Sequence, residues 1–251
     1  MSAPTISIVT ACRNARAELP AAAAAVLAAL GPHDEWVLQD GASTDGSQEF
    51  LATLTDGRVR LESTPDLGIY DALNKAVRRA QGDFLLILGA DDRLRLPLDE
   101  LRPLLRDDRT VYYGDVWRTG SADRYAGPFD GAKLARTNIC QQAILYPRAA
   151  FVGRAFDLRY WQQADWAFNM ACFADPQLRF EYIPLLIADY APGGVSSVKM
   201  DEAFQRDYRR LLKAYFPLRQ RWRPTLVSWL SDLFRALPGV PPARQTPARN
   251  L

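Results

Sequence analysis

Residues 65–92, PDLGIYDALNKAVRRAQGDFLLILGADD, decide how this chain folds. An amphipathic helix is expected over residues 69–80, and Gly82 ends it. The continuous apolar run DFLLIL that follows predicts a buried strand, which delivers two adjacent carboxylates, Asp91 and Asp92, at its carboxyl end. In open α/β sheets the carboxyl ends of the strands form the ligand site.

The residues before this stretch alternate between short apolar runs and helix-forming runs. Strands are predicted over residues 5–10, 35–39 and 58–63, and helices over residues 18–30 and 47–54. Such alternation is typical of βαβ units, so the first ninety residues predict a mainly parallel sheet and an α/β fold.

Right-handed crossovers bring the ends of parallel strands to one edge of the sheet. We therefore expect Thr10, Asp40 and Asp91 to lie at the same edge. Hard cations take carboxylate oxygens together with substrate phosphates, so the pair Asp91 and Asp92 predicts a site for a metal ion and a diphosphate. A turn or a helix N-cap is the competing interpretation of each of these aspartates.

The second half of the chain is less regular and richer in aromatic residues. Strands are expected over residues 110–117, 118–125, 138–146 and 180–190, and helices over residues 97–105, 160–173 and 201–215. Residues 219–237 combine arginines with an apolar helical face, which suits either packing on the domain or contact with a membrane surface or partner. The Pro-rich tail from Pro238 onward is expected to be disordered.

Composition excludes several classes of protein. A net charge of +2 over 251 residues does not fit a strongly basic nucleic-acid binder. His33 is the only histidine, which argues against a Ser-His-Asp triad, and Cys12, Cys140 and Cys172 form no C-x-x-C pair that would indicate structural zinc. There is no signal peptide pattern and no apolar run of about 18 residues, so we expect a cytoplasmic protein.

Three motifs, in order, resemble glycosyltransferase family 2. They are SIVTACRNA (residues 7–15), LQDGASTDGS (residues 38–47) and the opening stretch with its GADD end, and the resemblance extends over residues 5–197. Within the family it is closest to bacterial enzymes that build capsule, exopolysaccharide or lipopolysaccharide. It implies a GT-A fold over residues 1–216, with a Rossmann-like nucleotide-sugar-binding half (1–96) and an acceptor half with C-terminal helices (97–216), followed by an appendage (217–251).

The resemblance also implies roles for individual residues. Asp92 would hold Mn²⁺ or Mg²⁺ on the donor diphosphate, and Asp165, in QQADWAFNM, would be the general base. Gln141 and Gln142 stand where many relatives have His-Gln, and imply an acceptor-side or diphosphate contact. The nucleotide sugar would be bound by Thr10, Arg13, Asp40, Gly68, Asp71, Asn74 and Asp91.

The physical demands of sugar transfer agree with these roles. Direct displacement at the anomeric carbon needs one base for the acceptor proton and one cation for the leaving diphosphate. Taken alone, Asp165 is better interpreted as an acid that is favoured at a helix N-terminus. The Q-x-x-R-W motif of processive relatives is only partly echoed at residues 220–222, which favours transfer of a single sugar.

The sequence therefore predicts an inverting enzyme that transfers one sugar from a UDP-, GDP- or dTDP-linked donor to a glycan or lipid-linked acceptor of a bacterial surface polysaccharide. Peripheral membrane contact would come from residues 219–237, at the inner face of the plasma membrane. One alternative is a nucleotidyltransferase, although such enzymes open with a Gly-rich basic loop where this chain has ACRNA. Another is a non-catalytic module that binds a sugar nucleotide or a partner, with Arg13 and Gln141 as marks of lost activity.

Overall fold

The computed structural model describes residues 3–190, 201–218 and 220. The membrane contact expected through residues 219–237 (apart from Gln220) and the Pro-rich tail therefore lie outside the described residues. Within the described part of the chain, no helix is both long enough and apolar enough to cross a bilayer.

The first half of the chain consists of alternating strands and helices, as predicted. The strands are β1 (Ile6–Cys12), β2 (Glu35–Asp40), β3 (Val59–Ser63) and β4 (Phe84–Ile87). The helices are α1 (Leu19–Ala29), α2 (Ser47–Leu51) and α3 (Ile69–Arg79). These four strands pair in parallel in the order β3, β2, β1, β4, so all four end at one edge of the sheet.

The second half adds five strands and four α-helices within the described residues. The strands are β5 (Arg93–Leu94), β6 (Thr110–Arg118), β7 (Asp123–Tyr125), β8 (Ile144–Pro147) and β9 (Arg179–Tyr190). The helices are α4 (Leu98–Leu101), α5 (Gly131–Leu134), α6 (Ala164–Ala174) and α7 (Glu202–Tyr215).

The strands form one mixed sheet in the order β3-β2-β1-β4-β8-β6-β9-β5, with β7 paired to β6. Strand β8 is antiparallel to both β4 and β6, whereas β6 and β9 are parallel. The α/β fold class is confirmed, and the parallel part of the sheet lies in the half that the sequence predicts to bind the nucleotide sugar.

The strand predicted over residues 138–146 is wrong in its first part. Residues Gln141–Ala143 form a 3-10 turn, closed by a bond from the Ala143 amide to the Cys140 carbonyl (3.0 Å), and the strand begins only at Ile144. The polar run before Ile144 lies along a cavity instead of pairing within the sheet. Its side chains are therefore available for a site.

Apolar side chains cover both faces of the sheet. On one face the strands pack against α3, α6 and α7, and on the other they pack against α1 and α4. Consecutive residues of one strand alternate between the two faces, as Ile8 and Val9 do in β1. The sheet is thus buried on both sides, which explains why its strands are continuous apolar runs.

Helix α3 buries the apolar face that its sequence predicts from Leu73 onward, but at its first turn it buries Tyr70 and not Ile69. Ile69, the first residue of the predicted amphipathic helix, is 49% exposed, whereas the side chain of Tyr70 is buried. Both residues have helical spacing to Leu73, so the pattern alone does not choose between them. Burial of Tyr70 directs its hydroxyl toward the start of α6, which it reaches through a bond to the Gln162 carbonyl (2.8 Å).

A buried ion pair stabilises the edge of the sheet at which the parallel strands begin. Asp34, whose side chain has no exposed area, accepts hydrogen bonds from the amides of Ile6 (2.9 Å) and Gly31 (2.8 Å). The Arg102 guanidinium lies 2.7 Å from the same carboxylate and also contacts Asp99 (3.1 Å), which is 74% exposed. One arginine therefore has a buried and an exposed acidic partner.

We predict that Asp34→Ala lowers the free energy of unfolding by about 3 kcal/mol, because it leaves a guanidinium and two amides without their buried partner. The matched control, Asp99→Ala, removes an exposed partner of the same arginine and should cost less than about 1 kcal/mol. Urea unfolding of the two variants measures both values. Equal losses of unfolding free energy in the two variants would contradict the view that the buried partner stabilises this edge more than the exposed one.

Candidate active site

A cavity of about 980 Å³ opens beyond the carboxyl ends of β1 and β4. One wall is the amino-terminal part of α3, and the opposite wall comes from the loop before β8 and the start of α6. The lining comes mainly from the segments 11–15, 66–73, 87–92, 137–142 and 161–165. The cavity therefore joins the two halves of the chain.

Seven of the eleven predicted site residues line this cavity. They are Arg13, Gly68, Asp91, Asp92, Gln141, Gln142 and Asp165. Asp92 and Asp165 come from different halves of the sequence, and the fold brings them to one space. A second cavity of about 650 Å³, between α6, α7 and residues 153–160, has none of the predicted residues in its lining.

Thr10 and Asp40 are not part of the cavity lining. The Thr10 hydroxyl accepts a hydrogen bond from the Trp36 indole (2.9 Å) inside the core. The fully buried Asp40 carboxylate accepts bonds from the Ser43 amide (3.0 Å) and the Ser63 hydroxyl (2.5 Å). In this structure both side chains hold the ends of the parallel strands and the loop after β2 in place.

Asp71 and Asn74 also bond to the protein itself. Asp71 accepts from the Leu67 amide (3.1 Å) and pairs with Lys75 (2.9 Å) in the first turns of α3. The buried Asn74 amide both donates to and accepts from the Phe156 backbone, at 2.9 Å each way. Asn74 thus ties α3 to the segment that leads into α6.

The two carboxylates after β4 form the acidic end of the cavity. Asp92 is only 3% exposed, and one of its oxygens accepts a bond from the Gly89 amide (2.9 Å). Burial raises the pKa of Asp92 to about 6, the charge of Asp91 adds to this, and a hydrogen bond from Gln142 opposes it. The site therefore carries negative charge that the protein only partly compensates.

These residues fit a hard cation shared with a substrate. In the described part of the chain, no group of three or more His, Cys, Asp or Glu side chains is placed to hold a metal ion on its own. A buried carboxylate, Asp92, beside an exposed one, Asp91, suits an ion that takes its remaining oxygens from a diphosphate and water. The buried Gln141 Nε2, which has no hydrogen-bond partner in the described structure, marks a place for another oxygen acceptor.

Asp165 lies in the first turn of α6 and also lines the cavity. Its Oδ1 accepts from the Tyr70 hydroxyl (2.8 Å) and its Oδ2 from the Asn138 amide (2.6 Å). Burial raises the pKa of Asp165 from 3.8 to about 6, although these two hydrogen bonds favour the charged form. Such a carboxylate is ionised near neutral pH and still has a substantial affinity for a proton.

Sequence reasoning missed the two residues that hold Asp165. Tyr70 could have been found, because it shares a helical face with Leu73 and Asn74 at spacings of three and four. Asn138 carries no comparable signal, since the sequence pattern predicts it as the first residue of a strand. Trp161, which is 41% exposed and also lines the cavity, was likewise missed.

Gly89 is required by the closeness of the two carboxylates. A methyl group at this position would lie 2.8 Å from both an Asp91 oxygen and an Asp92 oxygen. We predict that Gly89→Ala displaces the carboxylates and weakens Mn²⁺-dependent binding of a nucleotide sugar by about tenfold or more. The control is Gly57→Ala, whose added methyl meets open space.

Calorimetric titration of both variants with a nucleotide sugar and Mn²⁺ measures this effect. Circular dichroism melting of the same samples shows whether the fold is retained. Unchanged affinity in Gly89→Ala would mean that the close packing of Asp91 and Asp92 against this glycine does not matter for the donor.

Comparison with known proteins identifies the family of this chain. The model of glycosyl transferase family 2 matches residues 7–149. A "PGL/p-HBAD biosynthesis glycosyltransferase" of Mycobacterium tuberculosis is 34% identical, over 91% of this chain and 94% of its own length. A "putative teichuronic acid biosynthesis glycosyltransferase TuaG" of Bacillus subtilis is 33% identical over 36% of this chain and 37% of its own length.

Solved structures share the fold at low sequence identity. S. aureus TarS 1-349 in complex with UDP-GlcNAc has a TM-score of 0.66 and 14% identity, over 84% of this chain and 65% of that chain. This chain thus spans just under two thirds of the TarS fragment. The mannosyltransferase PcManGT of Pyrobaculum calidifontis, in complex with GDP-Man and Mn²⁺, has a TM-score of 0.62 and 17% identity, over 96% and 78% of the two chains. The chain belongs to glycosyltransferase family 2 and has the GT-A fold.

Proposed function

We propose that this protein is an inverting glycosyltransferase that transfers one sugar from a nucleotide diphosphate sugar to a hydroxyl group of a glycan or lipid-linked acceptor. The observation that carries the proposal is the position of Asp92 and Asp165 in one cavity, although they come from different halves of the chain. One carboxylate suits a cation and the other suits a proton, which are the two demands of a direct displacement.

The donor would occupy the acidic end of the cavity. Asp92, assisted by Asp91, would hold Mn²⁺ or Mg²⁺, which neutralises charge on the leaving diphosphate. Arg13 and Gly68 lie on the same lining and remain our candidates for the nucleotide. Gln141, with its buried and unpartnered amide, would donate to a diphosphate or sugar oxygen.

The acceptor hydroxyl would meet Asp165. In the transfer step the acceptor oxygen forms a bond to the anomeric carbon, and the bond from that carbon to the diphosphate oxygen breaks. The bonding pair leaves with the diphosphate, and the acceptor proton moves to the Asp165 carboxylate. A single displacement of this kind inverts the configuration of the anomeric carbon.

The wider role rests on the relatives. Proteins similar to this chain are named for PGL/p-HBAD and teichuronic acid biosynthesis, which supports a role in making a bacterial glycolipid or surface polysaccharide. A lipid-linked acceptor would place the reaction at the inner face of the plasma membrane. Solved neighbours in complex with UDP-GlcNAc and with GDP-Man and Mn²⁺ support a nucleotide sugar as donor.

We predict that one class of nucleotide sugar stabilises the protein in the presence of Mn²⁺. A ligand at roughly 100 times its Kd should raise the melting temperature by about 5 °C or more, because only the folded state binds it. A thermal-shift panel of UDP-, GDP- and dTDP-sugars, with and without Mn²⁺, measures the effect and identifies the donor class.

Two variants test whether the Mn²⁺-dependent shift in melting temperature depends on Asp92. Asp92→Asn should lose the Mn²⁺-dependent part of the shift, while Asp99→Asn, an exposed aspartate away from the cavity, should keep it. If no nucleotide sugar shifts the melting temperature of the unaltered protein under any of these conditions, a donor site in this cavity is wrong.

A further inference from the structure

The Tyr70 hydroxyl has two acceptors and only one hydrogen. Its oxygen lies 2.8 Å from the Gln162 carbonyl oxygen and 2.8 Å from Asp165 Oδ1. A hydroxyl group donates a single hydrogen bond and can also accept. Tyr70 can therefore donate to Asp165 or to Gln162, but not to both at the same time.

The other oxygen of Asp165, Oδ2, accepts the last of three linked hydrogen bonds whose donors all point toward it. Tyr146 donates to the Asn169 side chain (2.8 Å), Asn169 donates to the Asn138 side chain (2.8 Å), and Asn138 donates to Asp165 Oδ2 (2.6 Å). Each amide uses its oxygen as acceptor and its nitrogen as donor, so the whole chain points its donors at the carboxylate. Tyr146 and Asn169 are fully buried, which restricts any rearrangement.

We propose that Tyr70 is a positioning residue whose hydroxyl hydrogen turns between Asp165 and the Gln162 carbonyl as Asp165 loses and gains a proton. This inference rests on the proposed role of Asp165 as the base. With Asp165 ionised, Tyr70 donates to Oδ1. With Asp165 protonated on Oδ1, the acid donates to the Tyr70 oxygen and Tyr70 donates to Gln162.

The ionised and the protonated forms of Asp165 then both have all their hydrogen bonds made by the same partners. Tyr70 keeps its own proton throughout, and only the proton from the acceptor is transferred, to Asp165. The oxygen Oδ2 remains an acceptor for Asn138 in both states. The carboxylate therefore stays in one orientation while its charge changes, which is what a general base needs.

The groups around Asp165 do not compete with it for protons near neutral pH. The titratable side chains that face it in the described residues are Tyr70 on α3, Tyr146 on β8 and Cys140 in the loop before β8. Burial raises the pKa of both tyrosines well above their ordinary value and that of Cys140 to about 12. Asp92 titrates in the same range as Asp165, at the acidic end of the cavity.

Carbon-13 NMR of protein labelled at the aspartate carboxyl carbons tests the proposal without any ligand. The resonance that disappears in Asp165→Asn belongs to Asp165, and its midpoint in the unaltered protein is expected near 6. Tyr70→Phe removes a donor to the charged form and an acceptor for the protonated form. The bond to the charged form is the stronger one, so the midpoint should move upward by about one pH unit. The Asp92 resonance should keep its midpoint.

The matched control is Tyr182→Phe, which removes a hydroxyl donor from a different carboxylate, Asp115 (2.7 Å). It should leave the Asp165 midpoint unchanged. Should Tyr70→Phe fail to fold, replacement of Tyr70 by 3-fluorotyrosine keeps the ring and strengthens the donor, so the midpoint should move downward. An Asp165 midpoint that responds to neither change overturns the proposal.

Enzyme kinetics separates this inference from the proposed function. With water as acceptor, the enzyme should hydrolyse the stabilising donor and release nucleoside diphosphate. Asp165→Asn removes the base, so the rate of this release should fall while donor binding persists. In Tyr70→Phe the acid limb of the rate should move upward with the NMR midpoint, whereas a purely structural loss would lower the rate equally at every pH. Full activity in Asp165→Asn would contradict the proposed function. If Asp165→Asn is inactive but the acid limb of the rate is unchanged in Tyr70→Phe, only the role of Tyr70 is contradicted.

Discussion

The structure depends on the placement in one cavity of two carboxylates, Asp92 and Asp165, whose pKa values are raised by burial. Neither Asp92 nor Asp165 forms an ion pair with an arginine or lysine in the described residues, and burial raises the pKa of each to about 6. Buried charge without a cationic partner costs stability, so such an arrangement is typical of sites where charge is supplied by a ligand or a proton.

The fold keeps these carboxylates at fixed positions through bonds between distant elements. The parallel strands bring Asp91 and Asp92 to the sheet edge, and α6 brings Asp165 to the other side of the cavity. Helix α3 joins the two sides, because Tyr70 and Asn74 bond to the segment before α6. The stretch that sets the fold therefore also sets the distance across which donor and acceptor would meet.

Local patterns predicted the alternation of the first ninety residues, because each buried strand there is a short apolar run between turn formers. The motifs that resemble glycosyltransferase family 2 singled out Asp92 and Asp165, and the structure brings both to the lining of one cavity. They did not reveal that Asp40 is enclosed by serines, or that Tyr70 reaches Asp165 across 95 positions of sequence. Such bonds depend on tertiary packing, which a helical period cannot resolve between adjacent residues such as Ile69 and Tyr70.

The central claim is that the cavity has separate donor and base ends, and calorimetric donor binding in two variants tests it most directly. With Mn²⁺ and the nucleotide sugar that stabilises the protein, Asp92→Asn should lose about tenfold or more in affinity. Asp165→Asn should bind the donor as the unaltered protein does, because its side chain serves the acceptor proton. Equal losses in the two variants, or a loss confined to Asp165→Asn, would contradict the account.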